Sequence, residues 1–267
     1  CLGMSPVLVG AVGTDFDEYR SWLERHGVDT GSVHESQTKH TSRFLCTTDE
    51  AQNQIASFYA GAMAEAREIE LGPVAERVGD LELVLVAPND PVAMVRHTQE
   101  CRERGYPFAA DPSQQLARME GEEVRRLVDG ASYLFTNRYE SQLLLRSTGW
   151  SEADVLDRVG RWVMTHGPDG VRIETKGEDP VNVPAVPVKE EVDPTGVGDA
   201  FRAGFLWGLH RQLSLERSTQ AGCALAAVVL ETVGTQEYEL DHTSFSDRVA
   251  RVYGEEAAAE IDARLQR

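Results

Sequence analysis

The sequence predicts an α/β fold with a mainly parallel sheet and helices on both faces. Short apolar runs rich in β-branched and aromatic residues alternate along the chain with segments of helical periodicity. This alternation is typical of parallel strands joined by crossover helices, whose ligand-binding loops lie at the carboxyl ends of the strands. The predicted strands are 7–12, 83–87, 108–111, 133–136 and 162–165, and the predicted helices are 91–104, 121–129, 138–147, 151–160, 199–210 and 214–230.

Composition and charge narrow the class of protein. The 267 residues are 41% hydrophobic and 26% charged, which is typical of a globular protein and predicts a single domain over 1–267. A formal net charge of -18 argues against nucleic acid or an anionic membrane as a partner. No run approaches the roughly 18 apolar residues that a membrane span needs. The four cysteines are widely spread without a Cys-x-x-Cys pair, so a reducing cytoplasm is the expected location.

Polar loops follow three of the predicted strands. Asn137 comes after the strand at 133–136, and His166 and Gly167 come after the strand at 162–165. The segment 111–115, Asp-Pro-Ser-Gln-Gln, follows a third strand. Because carboxyl ends of parallel strands meet at one edge of a sheet, these loops are expected to form one site.

A glycine loop at 193–199, Asp-Pro-Thr-Gly-Val-Gly-Asp, runs into an apolar helix and is the most informative segment of the chain. Its two glycines let the amides of Gly196, Val197 and Gly198 point outward together at the positive end of the helix, where an anion is stabilised. Asp199 then places a carboxylate where it can take a proton from a hydroxyl beside the bound anion, as phosphoryl transfer to an alcohol requires. The alternative is that Asp199 only caps the helix after a glycine turn.

Residues 41–59 follow a different pattern, because apolar and polar side chains alternate in 41–47 and again in 54–59 around a polar turn at 48–51. This pattern predicts a β-hairpin with one wet face. The tail at 255–267 is a charged amphipathic segment, which we expect to be a packed helix and not a binding arm.

The loop at 193–199, with the following Ala-Phe and then Ala-Gly-Phe at 203–205, resembles the second signature of the ribokinase-like (PfkB) family of sugar and nucleoside kinases. The resemblance implies that Asp199 is the general base and that the amides of 196–198 hold the transferred phosphate. Asn137-Arg-Tyr-Glu140 is similar to the family's Asn-x-x-Glu, which helps to organise Mg²⁺ and the phosphates of ATP.

Further donor-side residues are implied by the same resemblance. Residues 165–170, Thr-His-Gly-Pro-Asp-Gly, resemble the turn that meets the donor nucleotide, and they contribute Thr165, Gly167 and Gly170. Gly234 lies where the family walls the donor adenine, although the segment before it is primarily a buried helix. Asp193 and Thr195 match positions that help hold a monovalent cation such as K⁺, although an Asp-Pro-Thr turn needs no ion.

The family resemblance also implies a small β lid, which closes over the acceptor and often supplies a homodimer contact, and the predicted hairpin at about 40–60 resembles part of it. The chain begins with Cys and contains no Gly-Gly, so the family's N-terminal acceptor-binding Asp and its Gly-Gly-x-x-x-Asn segment are expected to be missing. We therefore expect this chain by itself to phosphorylate an acceptor poorly.

The acceptor-side segments resemble most closely those of the actinobacterial adenosine kinases, which are built like ribokinase. In that resemblance Phe44 and Phe58 flank the adenine ring, and Gln114 and Gln115 face its polar edge. The alternative is that the phenylalanines are ordinary inward residues of the hairpin and the glutamines a solvated turn. The resemblance implies an ATP-dependent adenosine kinase of purine salvage, with ribose or fructose as the alternative acceptor class and a non-catalytic nucleotide-binding module as the alternative to an enzyme.

Overall fold

The computed structural model describes residues 2–48, 54–79 and 81–265. Its main sheet has six strands in the order β10-β9-β8-β7-β6-β5. In chain order, the strands are β1 Ala11–Val12, β2 His34–Glu35, β3 Arg43–Thr48, β4 Gln54–Tyr59, β5 Val84–Val86, β6 Phe108–Ala110, β7 Tyr133–Asn137, β8 Arg161–Thr165, β9 Val171–Glu174 and β10 Val181–Val183. The α-helices are α1 Asp17–Arg25, α2 Leu71–Val78, α3 Pro91–Arg104, α4 Gly121–Val128, α5 Arg138–Thr148, α6 Glu152–Leu156, α7 Val197–His210, α8 Leu215–Leu230, α9 His242–Tyr253 and α10 Glu255–Leu265, and 3-10 helices lie at Gly61–Glu68, Ser113–Ala117 and Gly167–Asp169.

The chain contacts group the described residues into two compact units. The first contains 2–4, Phe135–Gln142 and 152–265, and the second contains the described residues of 5–134 together with Leu143–Ser151. The prediction of a single domain over 1–267 stays a prediction.

The second unit supplies the parallel part of the main sheet. β5 pairs with β6, and β6 with β7, all in parallel, and α3 packs against β5 and β6. α3 begins with a side-chain cap, in which the Asp90 carboxylate accepts a hydrogen bond from the amide of Ala93 at 3.1 Å. Pro91 occupies the first helical position, where its fixed φ suits a helix and its missing N–H costs no bond. This helix ends at Gly105 in the left-handed conformation, as helices commonly do.

The first unit supplies an antiparallel meander. β8 pairs with β9 and β9 with β10, both antiparallel, because the turn that joins β8 to β9 is too short for a crossover helix. Trp162 of β8 is buried and donates through Nε1 to Thr136 Oγ1 of β7 at 2.8 Å. Behind this sheet, α7 packs on α8, α8 on β10, and α9 and α10 on α8.

The predicted elements are mostly present, with three differences in extent. The first predicted strand shrinks to β1, preceded by a single bridge between Val7 and Asp29. The predicted helix at 151–160 spans only Glu152–Leu156, and a turn then leads into β8. The glycine-loop helix begins two residues earlier than predicted, at Val197. The tail is a packed helix as predicted, with Ala257, Ala258 and Ile261 buried.

The hairpin differs from its prediction in one respect. β3 and β4 pair antiparallel with each other and with no further strand in the described chain, and Phe44 lies directly opposite Phe58. The described side chains at 43–47 and 55–59 are exposed on both faces, so the prediction of one wet face is wrong. Neither face of the hairpin packs against a core in the described chain. The alternation of apolar and polar side chains therefore places them on two faces that are both exposed. The predicted turn at 48–51 falls largely in 49–53, which lies outside the described residues.

Candidate active site

The glycine loop opens α7 as the sequence predicts, but Asp199 does not cap the helix. The N-cap is Gly196, whose φ of 80° lies in the left-handed region that favours glycine, and no side chain caps this helix. Asp199 is the third residue of α7, and its side chain is 82% exposed. The amide of Val197 makes a long bond of 3.4 Å to the carbonyl of Pro194, whereas Gly198 and Asp199 lie in the first turn, where amides have no intrahelical acceptor. The alternative of a capping aspartate is therefore wrong.

Asp193 connects the glycine loop to the loop after α8. Its Oδ1 accepts from the Thr195 amide at 2.9 Å, and its Oδ2 accepts from the Gly234 amide at 3.1 Å. The hydrogen bonds from Thr195, followed by the one from the Gly234 amide, hold the pKa of the Asp193 carboxyl below its usual value. The approach is close, since a Cβ at Gly196 would lie 3.0 Å from Thr235 Cβ, which is tighter than an ordinary contact. These contacts bring Gly234 next to the glycine loop at 193–199.

Asn137 and Glu140 form a reciprocal pair at the start of α5. The Asn137 amide donates to Glu140 Oε2 at 2.8 Å, and the Glu140 amide donates to Asn137 Oδ1 at 2.8 Å. This is the arrangement of a capping box, with Asn in place of Ser or Thr. Glu140 is buried whereas Asn137 is exposed. The Asn-x-x-Glu spacing therefore has a structural explanation of its own, beside any role toward a ligand.

The turn at 165–170 joins β8 to β9 through backbone bonds. The His166 amide donates to the carbonyl of Gly170 at 2.8 Å, and the Gly170 amide donates back to the carbonyl of Gly167 at 3.1 Å. Gly170 has a φ of 93°, and a Cβ there would lie 2.1 Å from the Val183 carbonyl oxygen, so only glycine fits. Arg138, the residue after Asn137, pairs with Asp169 at 2.9 Å.

His166 itself makes one contact of note, a 3.4 Å hydrogen bond that its Nδ1 accepts from Arg138 Nε. Burial, with the nearby Arg138 charge as a second cause, lowers the pKa of His166. The start of α5 and the β8–β9 turn are thus joined to each other, as the glycine loop is to Gly234, and both groups lie in the first unit.

The acceptor-side residues all lie in the second unit and have unequal surroundings. Phe44 and Phe58 are 56% and 44% exposed and face each other across the hairpin. Gln114 is exposed and accepts from its neighbour Ser113 Oγ at 2.6 Å. Gln115 is buried, and its Nε2 donates to the carbonyl of Asn89 at 2.9 Å. Ser113 has a φ of 44°, in the left-handed region that non-glycine residues adopt uncommonly.

Two charged residues that the sequence did not single out lie beside predicted ones. Arg202 of α7 lies 3.5 Å from Asp199, a contact that the helical spacing of three residues allows. Asp15, which follows β1, accepts from the Thr41 amide at 2.7 Å, from Thr41 Oγ1 at 2.8 Å and from Arg43 Nη2 at 2.6 Å. The separation of 26 to 28 residues between Asp15 and these partners leaves no local pattern by which the sequence could have revealed the contact.

Comparison with known protein families gives a match over most of the chain. Residues 1–242 match the model of the pfkB family of carbohydrate kinases. The chain belongs to this family. It is 33% identical over 242 residues to a nucleoside kinase of Methanothermobacter thermautotrophicus. The alignment covers 88% of this chain and 75% of that protein. A nucleoside kinase of Methanocaldococcus jannaschii is 28% identical over 240 residues, covering 88% of this chain and 76% of its own length.

A solved structure extends the likeness to three dimensions. The structure of Burkholderia thailandensis nucleoside kinase in complex with inosine superposes with a TM-score of 0.88 at 30% identity, over 95% of this chain and 82% of that one. The prediction of a ribokinase-like α/β fold is confirmed, and this pfkB-family chain is a phosphotransferase of the nucleoside and sugar kinase type, acting on an alcohol acceptor. Among the described residues, no helix combines the length and apolarity needed to cross a bilayer.

Proposed function

We propose that the protein transfers the γ-phosphoryl group of ATP to the 5′-hydroxyl of adenosine, a reaction of purine salvage in the cytoplasm. The observation that carries the proposal is the open carboxylate of Asp199 in the first turn of α7, beside the left-handed Gly196. Two relatives named as nucleoside kinases and a similar structure bound to inosine support a purine nucleoside as the acceptor. The exposed pair of Phe44 and Phe58 offers two aromatic faces to a purine.

The proposed chemistry assigns each donor-side residue a task. Asp199 takes the proton of the acceptor hydroxyl as that oxygen attacks the γ-phosphorus. The amides at Gly196, Val197 and Gly198 hold the transferred group at the positive end of α7. The nucleotide is lined, through backbone contacts and close approach, by Thr165, Gly167 and Gly170 of the β8–β9 turn and by Gly234 of the loop after α8.

Magnesium fits the residues at the start of α5. Glu140 Oε2 accepts a hydrogen bond from the Asn137 amide. The second oxygen of the Glu140 carboxylate can hold a metal-bound water. The bound ion would neutralise charge on the β- and γ-phosphates. No three His, Cys, Asp or Glu side chains cluster as a ready metal site in the described ranges. We assign the remaining ligands of the ion to the nucleotide phosphates and water, as is usual for Mg²⁺.

The assignment of a monovalent cation such as K⁺ to Asp193 and Thr195 has less structural support than that of magnesium. Both carboxylate oxygens of Asp193 already accept backbone amides, so the loop keeps its shape without an ion. Each oxygen retains a second lone pair, and a cation can therefore bind there without breaking these bonds. Replacing K⁺ by a bulky organic cation at constant ionic strength tests this assignment, because unchanged turnover contradicts it.

On the acceptor side, Phe44 and Phe58 stack on the base, while Gln114 and Gln115 read its polar edge. Gln115 has its amide nitrogen committed to Asn89, which leaves its oxygen as the atom that accepts from a base. The other hairpin face carries exposed Leu45, Ile55 and Tyr59, and we assign it to a homodimer contact through the lid. Sedimentation of an Ile55→Glu variant tests that contact, since an unchanged mass would contradict it.

The experiment that tests the proposed function is an acceptor screen, in which ATP consumption is measured with adenosine, inosine, ribose, fructose and no acceptor. We expect adenosine to give the highest kcat/KM. Preference for a sugar would replace the proposal by its alternative, a carbohydrate kinase, which the family description favours as a second candidate. A preference for inosine would retain the purine nucleoside but reject the adenosine assignment.

A further inference from the structure

The end of α8 is joined to the segment that leads into the glycine loop. The last carbonyls of a helix have no donor within the helix, so they need partners from elsewhere. The carbonyl of Leu230, the last residue of α8, accepts from the amides of Val192 at 2.9 Å and Asp193 at 3.2 Å. Because Asp193 is the first residue of the glycine loop, the end of α8 fixes the backbone at the point where that loop starts.

Glu231, the residue that follows α8, makes a second connection to the same segment. Its Oε1 accepts from the amide of Lys189 at 2.9 Å, and its Oε2 accepts from Arg248 Nη2 at 2.6 Å. Since Arg248 belongs to α9, this one carboxylate joins the end of α8, the segment before the glycine loop and α9. The Glu231 and Arg248 side chains are 22% and 20% exposed, so solvent screens their ion pair less than it screens a surface pair.

The two bonds to Glu231 also keep its carboxyl charged. Burial alone would favour the neutral acid, but the bonds from Arg248 and from the Lys189 amide outweigh it and hold the pKa of the Glu231 carboxyl below its usual value. An ionised carboxylate accepts hydrogen bonds on both oxygens and donates none. The charge therefore maintains both connections at neutral pH.

The segments 189–193 and 230–234 are linked at both ends. The bond from the Lys189 amide to Glu231 lies at one end, and the bond from the Gly234 amide to Asp193 Oδ2, at 3.1 Å, lies at the other. In the proposed function, the first segment leads into the amides that hold the phosphate, and the second leads to the wall of the donor adenine at Gly234. The phosphate and the base of one nucleotide are then bound by segments whose separation these bonds determine.

We propose that Glu231 is a positioning residue for the donor nucleotide, an inference that rests on the proposed roles of the glycine loop and Gly234. By accepting from Lys189 with one oxygen and from Arg248 with the other, it keeps the anion-binding amides and Gly234 at the separation that ATP requires. Glu231 exchanges no proton in the reaction and acts through the two segments that it joins. Such placement matters, because a displacement of about 1 Å can cost on the order of 10²-fold in rate.

Nucleotide binding tests the proposal without requiring turnover. Calorimetry would measure the affinity of a non-hydrolysable ATP analogue, with an imido group between the β- and γ-phosphorus, for the wild type, Glu231→Ala, Glu231→Gln and Arg248→Met. Glu231→Ala removes both connections and should weaken the analogue about tenfold. Glu231→Gln keeps an oxygen for the Lys189 amide, and Arg248→Met keeps the carboxylate, so each should lose less. The KM for the acceptor should change little in all three variants, whereas a general folding defect would alter it together with nucleotide affinity.

Arg217→Met is the matched control. Arg217 Nε donates to Glu260 Oε2 at 3.1 Å near the start of α8, so this variant removes an ion pair of the same helix away from the nucleotide segments. It should leave the affinity for the analogue unchanged, even where it lowers the melting temperature. The double variant of Glu231→Ala with Arg248→Met should bind the analogue no more weakly than Glu231→Ala alone, because Arg248 acts through Glu231.

Unchanged affinity for the analogue in Glu231→Ala would overturn the proposal, as would an equal loss in Arg217→Met. If Glu231→Ala does not fold, Glu231→Gln and Arg248→Met decide, and unchanged affinity in both would overturn it. The acceptor screen separates this outcome from the proposed function, because analogue binding needs no acceptor. A preference for a sugar would reject adenosine and leave the role of Glu231 standing, whereas a wild type that does not bind the analogue would reject both.

Discussion

The donor-side loops of the first unit and the β3–β4 hairpin of the second are built in opposite ways. The predicted donor-side loops contain hydrogen bonds between near neighbours, as in the pair of Asn137 with Glu140 and the bond from Thr195 to Asp193, and are also tied to one another by bonds such as that from Gly234 to Asp193. The hairpin is exposed on both faces, and Asp15 ties its base to a distant part of the chain. Under the proposed function, this difference predicts that the loops assigned to the phosphates keep their shape before a ligand arrives, whereas the hairpin depends on few contacts and gains its cover from a bound base.

Asp199→Asn carries the largest expected effect and tests the donor side of this comparison. We expect kcat to fall by about 10² to 10⁴, the usual share of a general base, with ATP binding preserved. The Asn side chain has the same shape, and Asp199 caps no helix, so melting temperature should not change. Steady-state kinetics with a direct ATP-binding measurement checks this. Turnover near that of the wild type would remove Asp199 from the mechanism.

Phe44→Ala and Phe58→Ala test the lid. If these rings stack on the acceptor base, each change should weaken adenosine binding by about 1 to 3 kcal/mol and leave ATP binding unchanged. Leu45→Ala is the control, because Leu45 is also exposed but lies on the other face of the same hairpin, away from Phe44 and Phe58. Adenosine and ATP affinities are measured for all three variants. An effect of Leu45→Ala as large as that of Phe44→Ala would show that any disturbance of the hairpin has the same result.

Asn137 and Glu140 at the start of α5 can serve as a helix cap or as part of a magnesium site, and a pair of variants separates these two roles. Asn137→Ala removes the cap and should cost about 0.5–2 kcal/mol of unfolding free energy. Glu140→Gln keeps an oxygen that accepts from the Asn137 amide, but it loses the charge that holds a metal-bound water. We therefore expect Glu140→Gln to raise the magnesium concentration for half-maximal rate with little loss of stability. Unchanged magnesium dependence in both variants would leave this segment as a helix start only.

The sequence predicts local features of this structure better than contacts between distant residues. The turn at 193–199 and the helix that begins at Arg138 are local features, so glycine spacing and helical periodicity were sufficient to predict them, whereas the reciprocal pair of Asn137 and Glu140 was not predicted. The contact of Arg202 with Asp199 was within reach, since residues three apart on a helix face each other. The anchoring of the hairpin by Asp15 was not, because its partners are 26 and 28 residues away. The exposure of both hairpin faces depends on which strands pair, and alternation alone does not determine that.

Asp15→Asn is expected to give the smallest effect, and it tests the anchor of the lid. The Thr41 amide, followed by the Thr41 hydroxyl and Arg43, lowers the pKa of the Asp15 carboxyl. A carboxyl whose pKa is lower in the folded state stabilises the fold above its unfolded pKa of about 3.9, and this contribution is lost as the pH falls from there toward the folded value. The wild type should therefore unfold at higher urea concentration than Asp15→Asn at pH 7, and the gap should shrink below pH 4.

Arg43→Met supplies the matched control for this anchor. It removes one of the three hydrogen bonds to Asp15 and leaves both bonds from Thr41, so it should reproduce only part of the change. Urea unfolding of the three proteins between pH 3 and pH 7, with protease cleavage within the hairpin as a local probe, measures both. Faster cleavage in Asp15→Asn at pH 7 is the expected result, because the carboxylate joins the base of β3 to the segment after β1. A gap in urea midpoint that stays constant down to pH 3 would contradict an ionised Asp15 as the anchor.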